Sequence, residues 1–164
     1  YYALKDWKNT ASDFTKIIST GRSDTELHQK NGTALFALGD WPAASDNLAK
    51  VVSKGVKDKD VFRMLGLSLA KQDKYPEAVT ALMAAVGMGV SDKDVFEQLG
   101  TGQYKAKDYP ATIESVSRAV SAGATDGSLF LYRGNAYFFQ KDYDKAKTDL
   151  EKALAAGVSD YDAF

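Results

Sequence analysis

The feature that most constrains this chain is that it superposes on itself, without a gap, after a shift of 34 residues. Val61-Phe62-Arg63-Met64-Leu65-Gly66 falls over Val95-Phe96-Glu97-Gln98-Leu99-Gly100 and over Leu129-Phe130-Leu131-Tyr132-Arg133-Gly134. The only three prolines, Pro42, Pro76 and Pro110, share one column. Three independently placed prolines would fall in one phase of such a period with a chance of about one in a thousand. Glycines form two further columns: Gly32, Gly66, Gly100, Gly134, and Gly21, Gly55, Gly89, Gly123, Gly157. A fixed period of this length means that each unit buries its apolar face only by stacking on its neighbours.

Each unit reads as two helices, A then B. Helix B opens on an aromatic and a proline, at Trp41-Pro42, Tyr75-Pro76 and Tyr109-Pro110. Proline suits a first helical turn, where its missing N–H has no partner to lose. Apolar spacing such as Ala78, Leu82, Ala85, Val86 continues the helix to the periodic Gly89, which stops it by turning left-handed. Ser23-Asp24, Ser91-Asp92 and Ser159-Asp160 then offer acceptors to the first N–H groups of the next helix A, and Glu26, Asp94 and Asp162 complete capping boxes.

Packing follows from residue size. A glycine in the middle of helix A costs about 1 kcal/mol of helix propensity against alanine, so its recurrence predicts a neighbouring helix too close for a side chain. Ala44, Ala78 and Ala146 recur early in helix B for the same reason, while Trp7, Trp41, Tyr75, Tyr109 and Tyr143 are expected to fill the corner between helices as core.

With Phe130, Gly134, Tyr137, Tyr143, Ala146 and Ala153 in these positions, the chain resembles the tetratricopeptide repeat family. The resemblance covers essentially the whole chain. It implies an all-α fold, a right-handed superhelical solenoid of antiparallel helix-turn-helix repeats, organised as one domain over 1–164. The divisions are a partial repeat at 1–24, repeats at 25–58, 59–92, 93–126 and 127–160, and the start of a further helix at 161–164. The chain departs from the family where a proline usually follows the helix B glycine; Arg22, Val56, Val90, Ala124 and Val158 stand there. His28 and Asn31 replace the usual aromatic and leucine, and Thr10 and Thr112 replace the helix B alanine. Local packing is expected to adjust there.

Chemistry is sparse. Lys plus Arg (21) balances Asp plus Glu (22), a net charge of -1, so no overall field attracts nucleic acid. Lys71, Lys74, Lys105, Lys107, Lys141 and Lys145 gather at the A-to-B turns, but Asp73, Asp108, Asp142 and Asp144 lie among them. There is no Cys for thiol or disulfide chemistry, and no stretch approaches the roughly 20 apolar residues of a membrane span. The lone His28 rules out a pair of histidine metal ligands, and the paired carboxylates recur where helix caps are needed; we expect no catalytic residues, cofactor or metal. The chain lacks an initiator Met, from which we expect a piece of a longer protein. Cytoplasm and bacterial cell envelope are both compatible with this composition.

The resemblance also implies a site. In this family successive A helices line a concave groove that holds peptides or partner helices, so we expect a binding scaffold and not an enzyme. Self-association through the open repeat ends is the alternative. Helical spacing then selects Gln29, Lys30, Thr33 and Phe36, next Arg63, Met64, Leu67 and Lys71, next Glu97, Gln98, Thr101, Tyr104 and Lys105, and finally Leu131, Tyr132, Asn135, Phe138 and Phe139. Tyr104, Tyr132, Phe138 and Phe139 make the C-terminal half an aromatic anchor. Members that grip chaperone C-terminal tails use a Lys and an Asn one turn apart on one A helix. The corresponding pairs here are Gln29 with Thr33, Arg63 with Leu67, Glu97 with Thr101 and Leu131 with Asn135. A chaperone C-terminal peptide should therefore show no micromolar binding in fluorescence anisotropy; tight binding abolished by Arg63→Ala would refute this.

Overall fold

The computed structural model describes residues 6–22 and 24–158. The expected caps at Ser23, Ser159, Asp160 and Asp162, and the helix start at 161–164, lie outside these residues. The described residues form α1 (Trp7–Ser19), α2 (Thr25–Leu38), α3 (Trp41–Ser53), α4 (Lys59–Ala70), α5 (Tyr75–Gly87), α6 (Lys93–Lys105), α7 (Tyr109–Ser121), α8 (Gly127–Phe139) and α9 (Tyr143–Ala155). The fold is all-α. Helices α2, α4, α6 and α8 are the A helices; α1, α3, α5, α7 and α9 are the B helices. Two compact units divide the chain at Val90 and Ser91. In the first, α2 packs on α3 and α4 on α5, while α1 covers α2 and α3 covers α4. In the second, α6 packs on α7, α8 on α9, and α8 also lies against α7 and α6.

The mid-helix glycines are where the hairpins close. A Cβ on Gly66 would stand 2.6 Å from Leu82 Cγ and 3.0 Å from the Leu82 backbone nitrogen; one on Gly100 would stand 2.5 Å from Val116 Cγ2. Leu82 and Val116 are fully buried. At Gly32 the obstacle is only the Leu48 side chain, at 2.8 Å. The cores grow outward from these contacts. In the first unit Leu48, Val51, Val61, Leu65 and Ala81 form one cluster, and Ala11, Ala34, Leu35 and Ala44 another.

Helix termini differ from expectation in an instructive way. The N-cap of α2 is Asp24, whose carboxylate accepts the Leu27 N–H at 2.8 Å, so Glu26 falls in the first turn and pairs with Lys30 at 2.6 Å in place of closing a capping box. Aspartates also open B helices: Asp6, Asp40, Asp108 and Asp142 accept from Asn9, Ala43, Ala111 and Lys145. The B-to-A turns explain the absent prolines. After α5 and α7 the left-handed Gly89 and Gly123 let the next residue reach back across the helix end, Val90 N–H to Ala85 O at 3.1 Å and Ala124 N–H to Ala119 O at 2.9 Å. Proline has no N–H to give there. The A-to-B turns each need one left-handed residue, filled by Gly39, Asp73, Lys107 and Lys141.

Thr10 and Thr112 fit among the buried alanines because each hydroxyl donates to a carbonyl in its own helix, Thr10 to Asp6 O and Thr112 to Asp108 O. The corner aromatics are not core: Trp7, Trp41, Tyr75 and Tyr109 are half-buried and Tyr143 is exposed. Each sits at the first position of its helix, at the rim of the layer. His28 is buried, with Nδ1 2.8 Å from Asn47 Oδ1, and is a structural residue.

Gly66→Ala should destabilise the fold by about 1–2 kcal/mol, since overpacking against backbone outweighs the helix-propensity gain. Gly32→Ala should cost less, because only a side chain must move. Urea denaturation of the two variants checks the order; equal or reversed losses would contradict the assignment of backbone contact as the cause.

Candidate functional site

Of the residues selected from sequence, Gln29, Lys30, Thr33 and Phe36 stand on α2 and Arg63, Met64, Leu67 and Lys71 on α4 in the first unit, and the others on α6 and α8 in the second. Leu67 and Leu131 are buried, each 7% exposed, and offer no surface to a ligand. They are apolar occupants of columns that elsewhere hold the half-buried Thr33 and Thr101, or Arg63 and Glu97, and burial is favoured for an apolar side chain at such a boundary. Met64 packs against the core of its unit. Thr101 donates its hydroxyl to Glu97 O, and Glu97 lies 4.0 Å from Lys93. Gln98 is half-buried; Lys71 and Lys105 are exposed. A shallow hollow of about 290 Å³ lies over Glu26, Gln29, Lys30 and Thr33 on α2, where the Lys30–Glu26 pair neutralises the charges.

Tyr104, Tyr132, Asn135, Phe138 and Phe139 do come together, and they recruit Tyr109 and Tyr143. Tyr132 stacks on Tyr104 with ring centres 4.5 Å apart and 19° between planes, and Asn135 Nδ2 donates to the Tyr104 hydroxyl at 2.9 Å. Tyr104 lies 6.4 Å from Tyr109, on which Phe139 stacks at 4.5 Å and 9°. Phe139 meets Phe138 edge-on at 6.0 Å, and Phe138 meets Tyr143 edge-on at 5.7 Å. Six rings from four helices thus form one continuous ladder.

Its local cause is the repeat itself. Tyr104 and Phe138 share a column late in helix A, Tyr109 and Tyr143 share one at the start of helix B, and the left-handed Lys107 and Lys141 turn B back beside A. Burial, with the Tyr104 and Asp126 groups adding to it, raises the Tyr132 pKa above that of free tyrosine, so the phenol stays neutral. Offset stacks and edge contacts hold each ring in a fixed orientation. Phe138, Phe139 and Tyr143 are 53, 54 and 58% exposed. An apolar surface already fixed in place loses little side-chain entropy when a partner covers it.

Sequence reasoning missed a polar centre between α8, α9 and α7. Arg133 occupies the column of Leu65 and Leu99, and Asp149 that of Ala81 and Ser115. The two form a bidentate pair, Nε to Oδ2 at 2.6 Å and Nη2 to Oδ1 at 2.9 Å, while Nη1 donates to Ser117 at 3.1 Å. Asp149 is 3% exposed, and its hydrogen bond raises the Arg133 pKa further above its ordinary value. A charged residue in an apolar column, with its complement 16 residues on, was the available signal. The first unit carries a neutral counterpart in the same columns: Asn31 Nδ2 lies 3.3 Å from Thr15 Oγ1 and 3.5 Å from Asn47 Oδ1.

Family models for the tetratricopeptide repeat match residues 30–89 and 128–156, and the chain belongs to that family. Comparison with curated protein sequences gives no match. Among solved structures, it is similar to YrrB, described as "a TPR protein with an unusual peptide-binding site", at 19% identity and a TM-score of 0.73 over 94% of this chain and 80% of that one. It is also similar to MamA of MSR-1, at 17% identity and 0.72 over 92% and 87%, and to MamA from Desulfovibrio magneticus RS-1, at 20% and 0.67 over 92% and 85%. At these identities the likeness is one of fold. No helix among the described residues is long and apolar enough to cross a membrane.

Asp149→Ala should destabilise the chain by about 3 kcal/mol by stranding the Arg133 charge. Arg133→Leu/Asp149→Ala, which reinstates the Leu65–Ala81 combination, should recover most of that loss. Urea denaturation of both variants measures it, and a double variant no better than the single would show that the pair contributes net stability.

Proposed function

We propose that the chain is a non-catalytic scaffold that binds another protein or peptide, and that its working surface is the aromatic ladder of the second unit. The observation that carries this reading is the cluster of Phe138, Phe139 and Tyr143, each more than half exposed on a framework of stacked rings. Buried aromatic anchors dominate protein interfaces, and an exposed group of them has a free-energy reason to be covered. The polar groups that could suggest other chemistry have structural partners: His28 on Asn47, Arg133 on Asp149. The peptide-binding site ascribed to YrrB supports the view that this fold accommodates such ligands.

End-to-end assembly of copies is the second reading, favoured by Leu154, 63% exposed on α9. Light scattering across a concentration range separates the two, since assembly gives a mass that rises with concentration.

An affinity capture from source-cell extract, read by mass spectrometry, should return a protein whose recovery falls at least about tenfold with Phe138→Ala/Phe139→Ala. The variant should melt close to the parent. Unchanged recovery would place binding elsewhere.

A further inference from the structure

The stacked pair of Tyr104 and Tyr132 carries hydrogen-bonding capacity that the fold does not use. The two residues belong to adjacent A helices of the second unit, α6 and α8, so each completes the other's setting. Asn135 Nδ2 donates to the Tyr104 oxygen at 2.9 Å. A phenol has one proton to give besides the lone pairs that accept. With Asn135 on the accepting side, the Tyr104 proton is directed elsewhere, and among the described residues neither it nor the Tyr132 proton meets an acceptor. Thr101, one turn before Tyr104, behaves differently and gives its proton to Glu97 O in its own helix. Both tyrosines are half-buried, with part of each side chain open to what lies along the A-helix face.

The electrostatics choose the acceptor. Burial, then the Tyr104 phenol and the Asp126 carboxylate, push the Tyr132 pKa up, which marks a place unfavourable to negative charge. Glu97 adds a carboxylate on the helix of Tyr104, 4.0 Å from Lys93. A neutral carbonyl suits these donors better than a carboxylate. A helix offers few free carbonyls, because all but those of its last turn are bonded internally. An extended chain offers one at every residue.

We propose that Tyr104 and Tyr132 grip the main chain of an extended peptide, each phenol O–H donating to one of its backbone carbonyls, with Asn135 as the positioning residue for Tyr104. The reading rests on the scaffold function proposed above and specifies the form in which that surface takes its partner. Contacts of this kind hold a chain in place without reading its side chains.

A random linear peptide library displayed on phage is selected on the full chain, and the strongest binder is synthesised and titrated by fluorescence anisotropy. Tyr104→Phe and Tyr132→Phe keep the rings and remove only the donors. Each should weaken binding about three- to tenfold, the worth of one hydrogen bond, and leave thermal melting unchanged. Amide-to-ester replacement along the peptide weakens one carbonyl at a time as an acceptor. One such replacement should cost affinity on the parent chain and nothing on Tyr104→Phe, and a second should do the same for Tyr132→Phe. Asn135→Leu should weaken binding to the parent chain and add no loss to Tyr104→Phe.

Binding indifferent to both phenylalanine variants overturns the proposal, and so do ester effects that persist on them. Loss of binding when the peptide's C-terminus is amidated also overturns it, because the acceptor is then a terminal carboxylate. So does a binder that circular dichroism shows to be helical in the complex. If capture from cell extract falls with Phe138→Ala/Phe139→Ala while the phenylalanine variants leave it unchanged, the scaffold reading stands and the main-chain grip does not.

Discussion

Every A–B hairpin among the described residues depends on one missing atom. Where helix A crosses helix B, the Cβ of the A-helix residue would overlap Leu48, Leu82, Val116 or Leu150, and glycine is the residue that leaves the space. The cost in helix propensity is about 1 kcal/mol per site, offset by the burial that close approach permits. Leu48, Leu82 and Val116 are all completely enclosed. The inter-hairpin contacts, the turns and the surface aromatics take their positions from this crossing, because it sets how far apart the two layers stand.

The turns show a second level of dependence. A helix end closed by a backbone N–H from the residue after the glycine has no use for proline, and Val90, Ala124 and Val158 all donate in this way. The departure from the family's usual residue is therefore a different solution to helix termination, not a weakened one. Aspartate takes the complementary role at helix starts on both layers, where Asp6, Asp24, Asp40, Asp58, Asp108, Asp126 and Asp142 each accept a backbone N–H of the first turn.

The period, the two helices per unit and the glycine notches were legible because each is a column property, and columns average out local noise. The assignment of Leu67 and Leu131 to a ligand-facing surface was not legible, since spacing gives direction about the axis but not whether an apolar side chain will fold under its neighbour. Trp7, Trp41, Tyr75 and Tyr109 were misread as core for a related reason: a large ring at the first position of a helix is at the rim of the layer, whatever its hydrophobicity. The aromatic ladder was half-visible. Tyr104, Tyr132, Phe138 and Phe139 could be chosen from spacing, but Tyr109 and Tyr143 joined them only through the geometry of the A-to-B turn. Arg133 and Asp149 went unseen because each breaks its column, and a search for agreement passes over disagreement.

That broken column has a consequence for how the chain finds its fold. Hairpins this alike can pair out of order, with one A helix settling on another repeat's B helix during folding. Leu65 and Leu99 could lie against Ala81 or Ser115 with little to choose between them. Arg133 could not: against Asn47, Ala81 or Ser115 its guanidinium would lose the carboxylate that it meets twice at Asp149. Asn31 and Asn47, with Thr15, mark the first hairpin in a neutral dialect of the same code. The α2–α3 and α8–α9 hairpins thus carry addresses, and the order of assembly is written in the residues that depart from the pattern.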